Sequence, residues 1–141
     1  MTKAMTLEVV TPEKISLKIE IDSMVAPATE GLLGVLYNHA PLITGLEPGV
    51  LRYRQGNELS FLAVGTGFLE IADNVLTVLV DTAEKSTDID VERALAAKER
   101  AQKRLRELPP GLDVHRAELA LYRALARLKV AGAEDVSSRK N

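Results

Sequence analysis

Between positions 15 and 21 the chain alternates strictly: Ile15, Leu17, Ile19 and Ile21 take turns with Ser16, Lys18 and Glu20. A step of two puts one set of side chains on one face of an extended backbone, so this segment predicts a strand buried on one side. Val50 to Arg54, Leu59 to Val64, Phe68 to Ile71 and Val75 to Val80 read as further short strands, rich in β-branched and large apolar residues. They are separated by Gln55-Gly56-Asn57, Gly65-Thr66-Gly67 and Asp73-Asn74, which carry the chemistry of tight turns. Many short strands in close succession predict a sandwich or barrel.

Near Ala83 to Asp88 the period changes from two to the three-and-four spacing of a helix, which divides the chain into a β unit, residues 1–86, and a helical unit, residues 87–141. Asp88 or Asp90 can cap a first helix, which then runs to about Leu108. Pro109-Pro110-Gly111 cannot continue it. Asp113 is placed to cap a second helix running to about Val130, ahead of Gly132 and the polar end Ser137 to Asn141. Val91, Ala94, Leu95, Ala101, Leu105 and Leu108 share one side of the first helix, and Val114, Ala117, Leu121, Leu125 and Leu128 share one side of the second. Packing these stripes together gives an antiparallel hairpin. Ala117, Ala120, Ala124 and Ala126 allow close approach but limit the area buried, so the hairpin is expected to be marginally stable alone.

Composition narrows the function. The 141 residues include 46% hydrophobic side chains, 18 Lys+Arg, 20 Asp+Glu and no cysteine, as expected of an ordinary folded chain without disulfides. A net charge of −2 and 4% aromatic content argue against nucleic-acid binding, and two histidines without cysteine argue against the usual zinc sites. No apolar run approaches the roughly 20 residues that span a bilayer, and Met1 to Leu7 lacks the apolar core of a signal peptide, so a cytoplasmic protein without direct membrane insertion is expected. The charge is unevenly distributed: residues 1–86 hold 6 basic and 11 acidic side chains, residues 87–141 hold 12 and 9.

Catalytic constellations are missing, since His39 and His115 lack a neighbouring motif with a nucleophile and an orienting acid. His39, in Tyr37-Asn38-His39-Ala40-Pro41, is expected to bond to its own loop backbone, and His115 to be exposed on a helix. Gly65-Thr66-Gly67 has neither the third glycine nor the lysine of a phosphate loop and reads as a turn. The arginines are more informative. A separation of seven residues places Arg93 and Arg100 about 20° apart on one helical face. Arg116, Arg123 and Arg127 share a face of the second helix in the same way. If both faces meet one groove, Arg93, Arg100, Arg123 and Arg127 converge and repel unless an anion lies between them; a polyphosphate meets that demand. The alternative is a solvated charged face opposite an apolar stripe, which any amphipathic helix has.

Four motifs stand in order along the β unit: Leu7-Glu8-Val9-Val10-Thr11-Pro12, Glu30-Gly31-Leu32-Leu33-Gly34-Val35-Leu36, His39-Ala40-Pro41-Leu42 and Gly65-Thr66-Gly67-Phe68-Leu69-Glu70-Ile71. Asp88-Ile89-Asp90-Val91-Glu92-Arg93-Ala94 and Arg116-Ala117-Glu118-Leu119-Ala120 extend the series into the hairpin. Through these motifs, across positions from about 7 to 130, the chain resembles the epsilon subunit of bacterial F-type ATP synthases. It implies an N-terminal antiparallel β-sandwich of about ten strands followed by a C-terminal two-helix hairpin. It also implies a non-catalytic subunit of the central rotor stalk, held peripherally on the cytoplasmic side of the bacterial cell membrane. The sandwich of such subunits binds the gamma subunit and the c-subunit ring and helps couple ion flow to rotation. Their hairpin, when extended, reaches the alpha and beta subunits and inhibits ATP hydrolysis.

Ile89 to Ala94 is similar to the ATP-binding motif of nucleotide-sensing members of that family, with Asp90, Arg93 and Ala94 at matching positions. Glu84, Arg100, Arg123 and Arg127 occupy positions like the rest of that family site. The resemblance assigns the arginines to phosphates, and Glu84, Ile89, Asp90 and Ala94 to the adenine and ribose end. ATP is then a regulatory ligand that is not hydrolysed, with no metal-binding carboxylate cluster to suggest otherwise and the part of magnesium open. One departure is Leu32, where many relatives carry an acidic residue in the loop facing the c ring. Pro109-Pro110-Gly111 is also a stiffer connection than is usual between the two helices. Three other readings stand beside this one. They are a stalk subunit whose hairpin binds no nucleotide, a small nucleotide hydrolase, and an unrelated sandwich adaptor with a coiled-coil arm.

Overall fold

A computed structural model of the chain describes residues 3–139, with the side-chain surroundings described through residue 132. Ten strands precede two helices: β1 Met5–Thr11, β2 Lys14–Ile21, β3 Ser23–Ala28, β4 Gly31–Leu36, β5 Leu42–Leu46, β6 Gly49–Gln55, β7 Glu58–Val64, β8 Gly67–Ala72, β9 Val75–Val80 and β10 Ala83–Glu84. A single 3-10 turn, Ser86–Asp88, leads into α1, Val91–Glu107, and then α2, Val114–Arg139. The sandwich-plus-hairpin architecture expected from the sequence is the one observed.

The strands join in the order β10-β7-β6-β3-β5-β8-β9-β1-β2, with β4 on the other side of β3. β3 links the two layers: Ser23 to Val25 pair with β6, whereas Ala28 pairs with Leu46 of β5. At the far end, Gln55 donates to the Glu20 carbonyl at 2.9 Å and the Asp22 N–H to the Arg54 carbonyl at 2.8 Å, which draws β2 towards β6 and nearly closes the sheet. Among the described residues every pairing is antiparallel except β1 with β9, a parallel pair that alternation alone could not reveal. Inside lie Leu7, Val9, Met24, Leu51, Leu69, Leu76 and Val78, all essentially inaccessible to solvent.

The turns follow their chemistry. Asp73 and Asn74 both have positive φ, +50° and +62°, the geometry that lets a two-residue hairpin match the twist of its strands. Asn74 also accepts the Asn38 N–H at 2.6 Å. At Gly65-Thr66-Gly67 the backbone is crossed by the β9–β10 connection, with Gly65 N–H to Thr82 O at 2.9 Å and Asp81 N–H to Thr66 O at 3.0 Å. These glycines allow close backbone approach rather than phosphate binding. The His39 ring Nδ1 donates to the Ala40 carbonyl at 2.7 Å, as the loop reading required, and His115 is exposed.

Asp90 begins α1: its carboxylate Oδ1 accepts the Arg93 N–H at 3.1 Å and satisfies one of the orphan donors of the first turn. Asp113 serves α2 likewise, accepting the Arg116 N–H at 3.1 Å. Leu108, forced into the left-handed region at φ +46° ahead of Pro109, closes α1. Two expectations change. The apolar stripes do not form the interface as whole stripes, because Ala94, Ala101, Ala117 and Ala124 are the buried contacts and their short side chains leave Val91, Leu95 and Val114 exposed. The second helix also does not stop near Val130: it passes through Gly132 to Arg139, because an exposed helical glycine costs only about 1 kcal/mol and good helix formers flank it. Of the polar end, residues 140–141 lie outside the described residues.

A Cβ on Gly67 would collide with the Leu79 carbonyl, whose carbon lies 2.8 Å away and belongs to the neighbouring strand's backbone. Gly67→Ala is therefore expected to lower unfolding free energy by about 1–3 kcal/mol in urea titration, whereas Gly34→Ala, which meets nothing within 4 Å, changes it by no more than about 0.5 kcal/mol. Asp90→Ala removes a helix cap and is expected to cost about 0.5–2 kcal/mol, with amide exchange at Arg93 and Ala94 accelerating before that of the sandwich.

Candidate functional site

α2 makes the main contact of the hairpin with the sandwich. Ala126 and Val130 pack on Ala63, and Val50, Phe61 and Ile89 close around them. Ile89 thus works as an apolar peg between the 3-10 turn and the sandwich, and it holds the start of α1 beside α2. Arg123 and Arg127 lie within about 60° of Val130 around α2, beside this docking face.

Where β10, the 3-10 turn, α1 and α2 meet, a cavity of about 250 Å³ is lined by Glu84, Asp88, Asp90, Arg93, Ala94, Ala97, Arg100 and Arg127. Six of the eight residues expected at the site therefore come together: Glu84, Asp90, Arg93, Ala94, Arg100 and Arg127. Ile89 stands behind the cavity in the apolar cluster. Arg123 lies one helical turn from Arg127, nearer the loop, and lines a neighbouring cleft instead. Asp88 and Ala97 complete the cavity. Asp88 was visible only as a possible cap, and Ala97 shows its role only through the helix pitch that puts it beside Arg93 and Arg100.

The charge balance differs from the one drawn from the arginine faces alone. Three arginines share the cavity with three carboxylates, and the Arg127 Nε donates to Glu84 Oε1 at 2.8 Å. Both partners are about 30% exposed, so this pair contributes no more than about 1 kcal/mol to stability. It does fix Arg127 against β10. Asp90 spends one oxygen on its cap and keeps the other for the cavity. The result is a mixed site: guanidiniums suit phosphate oxygens, and carboxylates suit hydroxyl and amino donors. Its volume lies below the roughly 300 Å³ lower range of sites that enclose drug-sized ligands, so a nucleotide there stays partly in solvent. A larger hollow of about 620 Å³ on the other side of α2 has mostly apolar walls, among them Phe61, Tyr122 and Leu125, and none of these site residues.

Among the described residues no helix is long and apolar enough to cross a membrane. Residues 4–86 match the family model of the ATP synthase delta/epsilon chain β-sandwich domain, and residues 87–132 match that of its long α-helix domain. The ATP synthase epsilon chain of Moorella thermoacetica is 53% identical over 131 residues, covering 92% of this chain and 98% of that one. That of Desulforamulus reducens is 50% identical over 131 residues, covering 93% and 99%. In fold, the chain is similar to a component of the Euglena gracilis mitochondrial ATP synthase, in a structure of its OSCP, F1 and c-ring. The TM-score is 0.78 at 22% identity, with 93% of this chain and 82% of that one covered. With both units matched in order and relatives of half-identical sequence matched end to end, the chain belongs to the family of ATP synthase delta/epsilon chains and is of the bacterial epsilon type.

Proposed function

We propose that this chain is a non-catalytic subunit of the central stalk whose hairpin senses ATP and, when released from the sandwich, inhibits ATP hydrolysis. The observation that carries the nucleotide part is the gathering of Arg93, Arg100 and Arg127 with Glu84, Asp88 and Asp90 on one cavity between α1, α2 and β10. Phosphates would take the guanidiniums, and the ribose hydroxyls and adenine amino group would take the carboxylates. Such a ligand touches both helices and the last strand at once. It therefore favours the docked hairpin over any form in which the three elements separate.

The energies are commensurate. Docking rests on one valine, two alanines and three half-buried residues, worth on the order of a few kcal/mol. ATP at one hundred times its dissociation constant, bound only by the docked form, adds about 2.7 kcal/mol. In the released form the hairpin would offer its basic surface and the small apolar faces of α1 and α2 to gamma, alpha and beta. Hydrolysis by the chain itself has no support in the cavity, where no histidine, serine or lysine is present.

The sandwich supplies the fixed attachment in this reading. Phe68, Leu79, Val10 and Ile15 pair in sequence across β8, β9, β1 and β2 and share the outer face, with Phe68 60% and Ile15 59% exposed. A contiguous apolar row on an otherwise polar face is the kind of surface a partner covers. We assign it to gamma. The c ring is assigned to the β3–β4 tip, where Leu32 is 75% exposed beside Glu30 and Gly31. Leu32 makes that contact apolar rather than ionic.

Titrating the purified chain with ATP should give saturable binding that Arg93→Ala with Arg127→Ala weakens by about a hundredfold, two charge-assisted contacts being lost. Unaltered binding in that double variant, or none near millimolar ATP, overturns the sensing role and leaves the stalk role standing. For the attachment, Phe68→Asp should abolish co-purification with gamma while changing the unfolding free energy by no more than about 0.5 kcal/mol, because the side chain is exposed in the free chain.

A further inference from the structure

One edge of the sheet is left open. β4 pairs with β3 alone, so its far side faces no other strand among the described residues. The backbone bonds show which groups it presents there. The Pro27 carbonyl accepts the Glu47 N–H at 2.9 Å, and the Thr29 N–H donates to the Gly45 carbonyl at 3.0 Å, so both residues turn their polar groups towards β5 and away from β4. In an antiparallel pair residues two apart point the same way. Leu32, Gly34 and Leu36, the partners of Pro27, Val25 and Ser23, therefore direct their N–H and C=O groups to the open edge, where the Leu36 carbonyl accepts the His39 N–H at 3.1 Å. Leu32 and Leu36 are exposed, and a Cβ on Gly34 between them would meet nothing within 4 Å. Gly31–Leu36 carries no charge, no proline and no bulge, the devices that ordinarily keep an edge from pairing.

We propose that β4 is a self-pairing edge, through which the free chain joins a second copy of itself in antiparallel register about a two-fold axis at Gly34. The edge is self-complementary in that register. Gly34 meets Gly34 of the second copy, and Leu32 of each copy meets Leu36 of the other. Each is a pair that exchanges both N–H···O=C bonds, so the groups left open by β3 are taken up. The Leu36 carbonyl accepts a second donor beside His39, having two lone pairs. The exposed leucines cover one another, and the glycines keep the axis clear. Just beyond the strand Glu30 meets Asn38, so no like charges are opposed. A charged segment gains nothing from an edge of apolar side chains and backbone, whereas an identical strand matches both. α2 lies over β6 and β7, beyond β3 from this edge, and does not obstruct a second sheet. One short strand per copy is a footprint at the low end of specific interfaces, so the dimer is weak and reversible. The contact assigned above to the c ring also uses Leu32; on that reading the two exclude each other, and the pairing belongs to the unassembled chain.

Sedimentation velocity of the full chain from about 5 µM to about 1 mM should show a monomer–dimer equilibrium with a Kd on the order of 0.1 mM. Gly34→Lys sets two ammonium groups against each other on the axis and is expected to weaken dimerisation at least about tenfold. Gly34→Glu should do the same, and an equimolar mixture of the two variants should restore a dimer at least as tight as that of the unaltered chain. The chain has no cysteine, so Gly34→Cys gives an independent readout. Residues of such a pair lie about 5.5 Å apart at Cα, within reach of a disulfide, and this variant should cross-link at least about tenfold faster than Glu13→Cys, which is exposed at the β1–β2 turn. A chain that stays monomeric at about 1 mM overturns the proposal, as does cross-linking no faster at position 34 than at position 13. A dimer that Gly34→Lys leaves intact and Phe68→Asp abolishes overturns it too, and places the contact on the outer face of β8, β9, β1 and β2.

Discussion

The hairpin is held to the sandwich by a very small apolar footprint, and the arrangement of everything after residue 84 depends on it. Ala126 and Val130 of α2 meet Ala63 of β7, with Phe61, Val50 and Ile89 around the rim. α1 packs chiefly on α2, which carries the contact with the sandwich. Alanine at the interface has two consequences at once: the helix can lie close to the strands, and little area is gained by doing so. The sandwich, by contrast, closes over a core of large side chains from all its principal strands. The two units are thus joined by a two-residue strand, a single 3-10 turn and a small apolar footprint.

The same economy governs the helix pair. Ala94 and Ala101 of α1 and Ala117 and Ala124 of α2 are buried, whereas Val91, Leu95 and Val114 stay exposed. This is why the apolar stripes read from the sequence were correctly placed but wrongly weighted. Spacing identifies which side of a helix is apolar. It does not say whether the alanines or the leucines of that side make the contact, because that is settled by the interhelical distance. The strands were more legible, since a step of two admits one buried set, and turn residues such as Asp73-Asn74 mark where each strand ends. The parallel pairing of β1 with β9 was not legible: it joins residues about 70 positions apart, and no local pattern encodes a partner. The reach of α2 past Gly132 is not legible either, because a glycine after an apolar run marks a helix stop in sequence, whereas within this helix its cost is absorbed.

For the candidate site, spacing found the arginines but not the carboxylates beside them. Periodicity locates residues on a helix, whereas Glu84 comes from a strand, placed by its pairing with Ala63 of β7, and Asp88 from a 3-10 turn. Repulsion among the arginines is therefore uneven along the hairpin. Beside β10 the protein supplies its own carboxylates, so a ligand there must displace or share them, and Arg127 must leave or keep Glu84.

At the loop end the cleft lined by Arg104, Arg116 and Arg123 holds a single carboxylate, Asp113. The C-terminal half of a helix already places negative dipole charge among Arg104 and its neighbours, which lowers the cost of gathering cations at the end of α1. On α2 the reverse applies, since Arg116 sits in the first turn, where the dipole opposes a positive charge. Asp113 offsets that opposition as the cap but carries one charge against three. An arrangement in which a helix start bears arginine rather than acid is unfavourable for the isolated hairpin. Like charge therefore opposes the packing of α1 on α2 more at the loop end than beside β10, where arginines and carboxylates are equal in number.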